Sequence, residues 1–324
     1  MTTTKHTMVH RTACSAPADE VFALVRDVTA WPVIFGPTVH MDAVEAGSDG
    51  ARTRQDMTIW AIAHDTVHSW KSIRNVDDAA RTVDFQQVVS PEPLAAMSGS
   101  WHVVDSQDGA SGCEVILNHT FRLRSDNDAD LEYVRKAVDT NSTKELAALR
   151  RATGGDGDCF LYEFVDEVDF AGGNPTAPLD FIWDGARWPE RLPHVADVTL
   201  TSLQDDVQHL AMTTRTADSK EHETMSYRVR LDADRHPTIA YKQTTLPPAL
   251  VAHAGRWSIA PSTKEAEQWS LRSWHGVLVD IEHCRELLGS PEAGIDEMKR
   301  AVRGALGGNS LVTMTAAVGH LQSM

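Results

Sequence analysis

The first half of the chain shows two successive patterns of hydrophobic and polar positions. Residues 16–25 open with proline and two acids and then place their apolar side chains on one face, which predicts a short amphipathic helix. Residues 39–123 instead alternate, as expected for a multi-stranded antiparallel sheet. Turn signals interrupt this alternation at 47–50, 77–78 and 108–109.

A long helix is predicted at the end of each half. Apolar residues return at helical spacing over 131–149, and again over 295–316. Short helices cannot cover the inner face of a sheet of this length, so the long helix is expected to lie along it. The predicted class is α+β, in which a curved antiparallel sheet grips a long C-terminal helix around a cavity.

The two halves are copies of one domain. Residues 1–155 and 160–324 correspond, a Gly/Asp-rich linker at 154–158 joins them, and we take the domains as 1–155 and 156–324. Shared residues recur 156 positions later: Thr82/Thr238, Gln87/Gln243, Pro91/Pro247, Leu94/Leu250, Ala96/Ala252, Gly99/Gly255 and Trp101/Trp257. Trp31-Pro32 also returns as Trp188-Pro189, and Asn141-Ser142 as Asn309-Ser310. A polar group present in only one copy is not required by the fold and therefore points to function.

Composition excludes several classes of protein. The 324 residues are 42% hydrophobic and 23% charged, as in soluble globular proteins, and no run approaches the roughly 18 apolar residues that cross a bilayer. The first residues lack the apolar core of a secretory signal, so a cytoplasmic location is expected. A net charge of −16 disfavours nucleic acid and anionic membranes. The one candidate basic cluster is either a docking patch or a solvated helix face: Arg135, Lys136, Arg150 and Arg151.

The strand predicted at 67–74 carries the most suggestive chemistry. Alternation puts His68, Trp70, Ser72 and Arg74 on one face. On the concave face, a guanidinium, a hydroxyl and an indole would suit an oxygen-rich, partly flat ligand and stabilise an enolate. On the outer face the same groups would simply meet water, and alternation alone leaves both faces open.

The second copy is expected to lack this polar pair. Matching Ser69-Trp70 to Ser226-Tyr227 turns Met225, Tyr227, Val229 and Leu231 inward, with Val229 in place of Ser72. A shift of 156 would instead pair Arg230 with Arg74. We prefer the first alignment because it keeps the aromatic residue, and we therefore expect the chemistry in the first copy and a structural or accessory second copy.

Other polar groups give weaker indications of function. Asn141 is placed on the apolar face of the terminal helix, where it either ties helix to sheet or contacts a ligand. His64 and His68 have no third ligand nearby, so no metal is expected. The sequence contains no nucleotide-binding motif, and we expect no cofactor.

Several motifs, in order and duplicated, carry a family resemblance. In the first copy they are Ala30-Trp31-Pro32 with Phe35, Trp70-x-Ser72-x-Arg74, Trp101 and Asn141-Ser142-Thr143; in the second, residues 187–195, 241–247 and 255–257. The chain resembles the bacterial di-domain aromatase/cyclases of type II (aromatic) polyketide synthesis. Domains of that family have the helix-grip fold of the START and Bet v 1-like superfamily.

The resemblance implies a substrate and partners. The substrate would be a poly-β-ketone tethered through phosphopantetheine to acyl carrier protein, with first-ring closure between C7 and C12 and loss of water. The minimal polyketide synthase and a ketoreductase would be further partners, and we favour a substrate reduced at C9. Thr38 stands where single-domain relatives carry a tyrosine, so proton transfer by that phenol does not carry over.

The resemblance also implies residue roles. Arg74 would polarise a ketone and stabilise the developing enolate, while Ser72 would orient a carbonyl and relay a proton. The substrate-binding set would comprise Trp70, Trp31, Phe35, Trp101, Asn141 and Thr38. A non-catalytic protein that binds a hydrophobic polyketide or lipid is the alternative, and a scaffold that assists a separate cyclase is a third possibility.

Overall fold

The computed structural model describes residues 4–106, 112–125, 127–155, 157–171, 174–215, 221–231, 237–265 and 267–321. The turn signal at 108–109 lies outside the described residues. The chain forms two compact units that divide near residue 160, and each contains one seven-stranded sheet and a long helix. The predicted α+β class, with two tandem helix-grip domains, is confirmed.

The first domain has the strand order β1-β7-β6-β5-β4-β3-β2. The strands are β1 (Lys5–Cys14), β2 (Thr38–Asp49), β3 (Arg52–Ala63), β4 (Thr66–Asp77), β5 (Thr82–Gln87), β6 (Leu94–Asp105) and β7 (Cys113–Leu123). The helices are α1 (Ala18–Arg26), a 3-10 helix (Val28–Ala30), α2 (Trp31–Ile34) and α3 (Asp128–Ala152).

The second domain repeats this order as β8-β14-β13-β12-β11-β10-β9. Its strands are β8 (Cys159–Ala171), β9 (Val195–Gln204), β10 (Val207–Arg215), β11 (Glu221–Leu231), β12 (Thr238–Thr245), β13 (Leu250–Pro261) and β14 (Gln268–Asp280). Its helices are α4 (Ala177–Trp183), a 3-10 helix (Gly185–Arg187), α5 (Trp188–Arg191), α6 (Ile281–Leu288) and α7 (Ile295–Leu321).

Helix α3 forms where the sequence supplies both a cap and an apolar face. The side chain of Asn127 accepts from the backbone N–H of Ala129, which satisfies one of the free donors of the first turn. Arg150 and Arg151 lie exposed in the last turn, where cations stabilise the helix dipole. Their position favours the solvated helix face over a docking patch.

The core of the first domain lies between the helices and the concave side of the sheet. Phe22 of α1, Trp101 of β6, Leu117 of β7 and Leu149 of α3 are all buried in one cluster. Residues from both ends of the domain therefore meet on the inner face, and side chains that point inward from β4 and β5 enter the same region.

Candidate active site

Arg74 points from β4 into the first domain and is only 1% exposed. Nε donates to Gln55 Oε1 at 2.5 Å, Nη1 to the carbonyl of Val25 at 3.2 Å, and Nη2 to the carbonyl of Arg26. Burial, followed by the charge of Arg26, lowers the pKa of Arg74 to about 10, so the group stays charged at neutral pH. The structure thus selects the inward face, and the end of α1 and a glutamine engage each nitrogen of the guanidinium.

Ser72 is also buried and is tied to the neighbouring strand. Its Oγ donates to the carbonyl of Gln86 at 2.9 Å. Trp70 lies two residues away on the same strand and is half-buried, and Thr38 is buried at the start of β2. Placement alone does not test the roles predicted for these residues, which stay predictions.

Three of the four aromatic residues in the predicted substrate-binding set form a connected group. Trp31 and Phe35 meet edge to face at 5.0 Å, and Phe35 stacks on Trp101 at 6.2 Å. The guanidinium of Arg74 lies 5.9 Å from the Trp31 ring, and the indole of Trp31 donates to the carbonyl of Leu24 at 2.9 Å. These rings form part of the packed core of the first domain, and the indole N–H of Trp31 has its partner within it.

The prediction that Asn141 lies on the buried face of α3 is wrong. Asn141 is exposed, whereas Ser142 is fully buried and its Oγ lies 3.2 Å from His119 Nδ1. One residue turns a helix by about 100°, so a small error in the apolar stripe exchanges adjacent side chains. The inward polar group of the helix is the serine, and the second copy repeats it with Ser310 beside His275.

Strand pairing corrects the alignment of β11. Arg228 lies opposite Tyr241 in the sheet, as Arg74 lies opposite Phe85. Tyr241 and Phe85 are separated by the 156-residue repeat, so Arg228 is the counterpart of Arg74. The prediction that the second copy lacks the arginine is therefore wrong.

Burial along β11 agrees with this pairing. Thr224, Ser226 and Arg228 are buried on the inner side, whereas Met225 is 41% exposed and Tyr227 is half-buried on the other side. The prediction that Met225 and Tyr227 turn inward is wrong because alternation separates two faces without saying which is concave. Both copies carry an inward Ser-x-Arg pair.

The second domain encloses a cavity of about 130 Å³ between α5, the sheet and α7. Its apolar wall includes Trp188, Leu210, Met212, Trp257 and Leu306. Its polar lining includes Thr224, Ser226, Arg228, Tyr241, Gln243, His253, His275, Asn309 and Ser310. A concave apolar surface with a few converging polar groups is the usual form of a small-molecule site.

Two differences between the copies give the second domain more room. Gly185 and Leu192 stand 157 positions after Val28 and Phe35, the spacing of the Trp-Pro pairs, so the second copy has the smaller side chain at both. A Cβ on Gly185 would lie 2.7 Å from Arg228 Nη1. The absence of a side chain at Gly185 therefore leaves room for the guanidinium of Arg228.

Two donors in the cavity wall lack the partners that their counterparts have. Arg228 Nη2 donates to the carbonyl of Ile182 at 2.5 Å, but Nη1 is buried without a partner. The indole N–H of Trp188 is also unpartnered, unlike that of Trp31. Burial lowers the pKa of Arg228 to about 9. A buried unmade hydrogen bond costs about 1–3 kcal/mol, so a ligand oxygen that reaches these donors gains that amount.

A chain of polar side chains crosses the same cavity. Gln243 Oε1 lies 2.7 Å from His253 Nδ1, and His253 Nε2 lies 3.1 Å from His275 Nδ1. The hydroxyl of Tyr241 lies 3.4 Å from His253 Nε2 and 3.2 Å from His275 Nδ1. His275 Nε2 lies 2.5 Å from Ser310 Oγ. These five side chains of the cavity lining are therefore connected, and Ser273 Oγ also lies 3.1 Å from His275 Nε2.

Both histidines of this network are neutral. Burial lowers the pKa of His275 to about 3, with the charge of Arg303 adding to the effect. Burial, then His275 and Lys242, hold the pKa of His253 well below its usual value. Burial raises the pKa of Tyr241, so its phenol is protonated at neutral pH. The cavity thus holds uncharged proton donors and acceptors beside one cationic guanidinium.

Sequence reasoning missed Tyr241 and His253 as functional candidates. The repeat could have identified them, because the 156-residue spacing pairs Tyr241 with Phe85 and His253 with Met97 of the first copy. Each is a polar group found in one copy only. The informative differences between the copies lie on β12 and β13 rather than on β11.

Within the described ranges, no group of three or more His, Cys, Asp or Glu residues is arranged to hold a metal ion. In that same part of the chain, no helix combines the length and the apolar character needed to span a membrane.

Residues 5–154 match a family model described as polyketide cyclase / dehydrase and lipid transport. The chain is 36% identical over 321 residues to the granaticin polyketide synthase bifunctional cyclase/dehydratase of Streptomyces violaceoruber, covering 97% of this chain and 94% of that protein. It is 34% identical over 328 residues to the actinorhodin polyketide synthase bifunctional cyclase/dehydratase of Streptomyces coelicolor, covering 97% and 96%.

Two solved structures share the di-domain architecture. The di-domain ARO/CYC BexL from the BE-7585A biosynthetic pathway has a TM-score of 0.83 and 37% identity, covering 97% of this chain and 98% of that one. The di-domain ARO/CYC StfQ from the steffimycin pathway has a TM-score of 0.77 over 96% and 97% of the two chains, and at 23% identity it supports the fold alone.

Proposed function

The chain belongs to the polyketide synthase bifunctional cyclase/dehydratases, the di-domain aromatase/cyclases of bacterial type II polyketide synthesis, and on that premise we propose its reaction. It closes the first ring between C7 and C12 of a poly-β-ketone and removes water to make that ring aromatic. The substrate is a chain reduced at C9, delivered on the phosphopantetheine arm of acyl carrier protein. Its partners are the minimal synthase and a ketoreductase, in the cytoplasm.

The observation that carries this proposal is Arg228 in the cavity of the second domain. Ring closure moves negative charge onto ketone oxygens of the chain, first as an enolate and then as an alkoxide. A buried guanidinium with an unpartnered N–H stabilises such charge strongly, because little water competes with it. We therefore place the reaction in domain 156–324.

The size of the cavity supports enclosure of one ring. Its volume of about 130 Å³ is close to the roughly 150 Å³ of an apolar cavity that holds benzene. Trp188 and Trp257 supply flat walls, so the reacting carbons are held together while the rest of the chain extends outward. Holding the ends of a flexible chain together removes much of the entropic barrier to closure.

The prediction that Arg74 and Ser72 perform this chemistry in domain 1–155 competes with this assignment. Arg74 has an acceptor at each nitrogen, and the aromatic residues beside it pack on one another. These contacts favour a structural role for the first copy. The same substitution at the two equivalent arginines separates the alternatives.

The test is reconstitution with the minimal synthase and a ketoreductase, with products followed by mass spectrometry. We expect Arg228→Ala to lower first-ring aromatic product by about 10²- to 10³-fold, as for loss of one oxyanion donor. Arg74→Ala, checked for folding by circular dichroism, should retain most of the product. A larger loss of aromatic product in Arg74→Ala than in Arg228→Ala would assign the chemistry to the first copy. If addition of the wild-type protein leaves the products of the synthase unchanged, the proposed function is refuted.

A further inference from the structure

Two of the five network residues that line the cavity differ between the copies. His275 and Ser310 have counterparts in His119 and Ser142, and Gln243 has one in Gln87. The other two members of the network, Tyr241 and His253, replace Phe85 and Met97 of the first copy. The shared members therefore belong to the fold, and the two unshared members are additions.

The fold does not need these two additions. In the first copy an aromatic ring fills the tyrosine position, and Phe85 packs edge to face on His119 at 5.5 Å. Without the histidine, Gln87 Oε1 is left buried and unpartnered, whereas Gln243 Oε1 faces His253 Nδ1 at 2.7 Å. The hydroxyl and the imidazole are thus placed without any structural requirement for them.

Hydrogen bonding fixes the direction of the network. Because Gln243 presents its carbonyl oxygen to Nδ1, His253 carries its proton there and leaves Nε2 as an acceptor. In the contact between the two rings the donor is then His275 Nδ1, and His275 Nε2 accepts from the hydroxyl of Ser310. The phenol of Tyr241 therefore lies between an acceptor on one ring and a donor on the other.

We propose that Tyr241 is the general acid and His253 the general base of the reaction in this cavity. This assignment rests on the proposed function. Both side chains line the cavity that Arg228 also lines, and the cavity lining in the described residues includes no aspartate or glutamate. His275 is a positioning residue, since its Nδ1 lies 3.2 Å from the oxygen that becomes phenolate.

The proton and electron balance of ring closure is complete within this group. The C12–H bond breaks and its proton goes to His253 Nε2, while the C12–C7 bond forms. The electron pair of the C7 carbonyl moves to its oxygen, which takes the proton of Tyr241. The contact of 3.4 Å between the phenol oxygen and His253 Nε2 returns the proton to tyrosine.

Dehydration uses the same groups again. A second C–H proton goes to His253, the C7–O bond breaks, and the leaving hydroxide takes the proton of Tyr241 and departs as water. Proton return from histidine to tyrosine restores the starting state. In a C9-reduced chain a second elimination, of the C9 hydroxyl with a C8 proton, and enolisation of the C11 ketone then make the ring aromatic. Each elimination releases one water, and none of these steps needs an oxidant, reductant or added co-reactant.

The decisive variants copy the first domain. Tyr241→Phe and His253→Met install the residues that the same fold already holds at Phe85 and Met97, which favours retention of structure. In reconstitution with the synthase, each is expected to lower the rate of aromatic product by about 10²- to 10⁴-fold. Tyr227→Phe is the matched control, because Tyr227 lies on the other face of β11 and should keep wild-type activity.

Binding is measured separately with a dihydroxyanthraquinone, by quenching of tryptophan fluorescence. We expect Tyr241→Phe to bind it within about threefold of wild type, because the walls are unchanged. A loss of binding as large as the loss of rate would overturn the acid assignment in favour of a role in shaping the cavity. Wild-type turnover by Tyr241→Phe would overturn it as well.

His253→Gln separates a base from a hydrogen-bonding group. Glutamine can keep a donor and an acceptor in place but cannot take up a proton at neutral pH. A loss equal to that of His253→Met supports the base, and recovery of activity overturns it. In every arm, an active wild type with unaffected variants removes only the acid/base assignment, whereas an inactive wild type removes the proposed function itself.

Discussion

The same residue pair has different surroundings in the two domains. Arg74 and Arg228 are equivalent in sheet register, both are buried, and both lie over a Trp-Pro tryptophan. Arg74 has acceptors at all its nitrogens, whereas Arg228 retains an unpartnered Nη1. Whether a buried arginine is structural or available to a substrate depends on its neighbours rather than on its motif.

Gly185 provides a test of that principle at a single residue. In Gly185→Ala the new Cβ would lie 2.7 Å from Arg228 Nη1 and 2.9 Å from a methyl of Leu210. Both are ends of flexible side chains, so we expect the free energy of unfolding to fall by only about 1 kcal/mol. The guanidinium must move, however, and product formation should fall by about 10²-fold.

Gly36→Ala is the matched control for this prediction, because a Cβ there meets no atom within 4 Å. Urea unfolding and the reconstituted assay are measured on both variants. Equal activity in Gly185→Ala and Gly36→Ala would show that the exact position of Arg228 is unimportant.

At the scale of elements, register and rotation decide which residues face the core. In β11 the alignment predicted from sequence placed the wrong face inward, and in α3 an error of one residue exchanges Asn141 for Ser142. Neither outcome follows from the local pattern, because each depends on the element that packs or pairs with the segment. The repeat helps only when the equivalence is taken from paired strands, such as β12 and β13.

Helix α7 contains glycines whose environments predict opposite effects. Gly304 is exposed with nothing near its Cβ position, so Gly304→Ala should raise the free energy of unfolding by about 1 kcal/mol through helix propensity. At Gly307 a Cβ would lie 2.7 Å from Asp166 Oδ2, which disturbs the 2.6 Å ion pair of Asp166 with Arg303. Gly307→Ala should therefore lower the free energy of unfolding.

Chemical denaturation of both variants checks this pair of predictions. Stabilisation by Gly307→Ala equal to that by Gly304→Ala would mean that the close approach of α7 to β8 is not required.

At the scale of the whole molecule, each domain places a neutral histidine next to the serine of its long helix. Burial, followed by the charge of His10, lowers the pKa of His119 to about 4. Burial, followed by Arg303, lowers that of His275 to about 3. Both copies therefore share a contact between a serine of the long helix and an uncharged histidine of the sheet.

These histidines predict a loss of stability in mild acid. Below about pH 6.5 the unfolded chain binds protons that the folded chain does not, so the free energy of unfolding falls as pH decreases towards about 4. Each histidine contributes a slope of about 1.4 kcal/mol per pH unit in that window. Urea midpoints at about pH 7 and about pH 5 measure the effect.

His119→Gln and His275→Gln isolate this contribution from other titrating groups. Each variant should show a shallower dependence of its midpoint on pH than wild type. An unchanged dependence in both variants would exclude these imidazoles as the cause.

The sequence by itself determined the duplication and the α+β class, and it placed Ser72 and Arg74 on one face of a strand without deciding whether that face is concave. Repeat, periodicity and motif order are local or one-dimensional properties, so they can be obtained from the printed chain. Tertiary structure decided that β11 presents Ser226 and Arg228 inward, and that the described cavity with unpartnered donors lies in the second copy. A cavity is a difference between the volume that a backbone encloses and the volume that side chains from distant segments fill, so only the folded arrangement can define it.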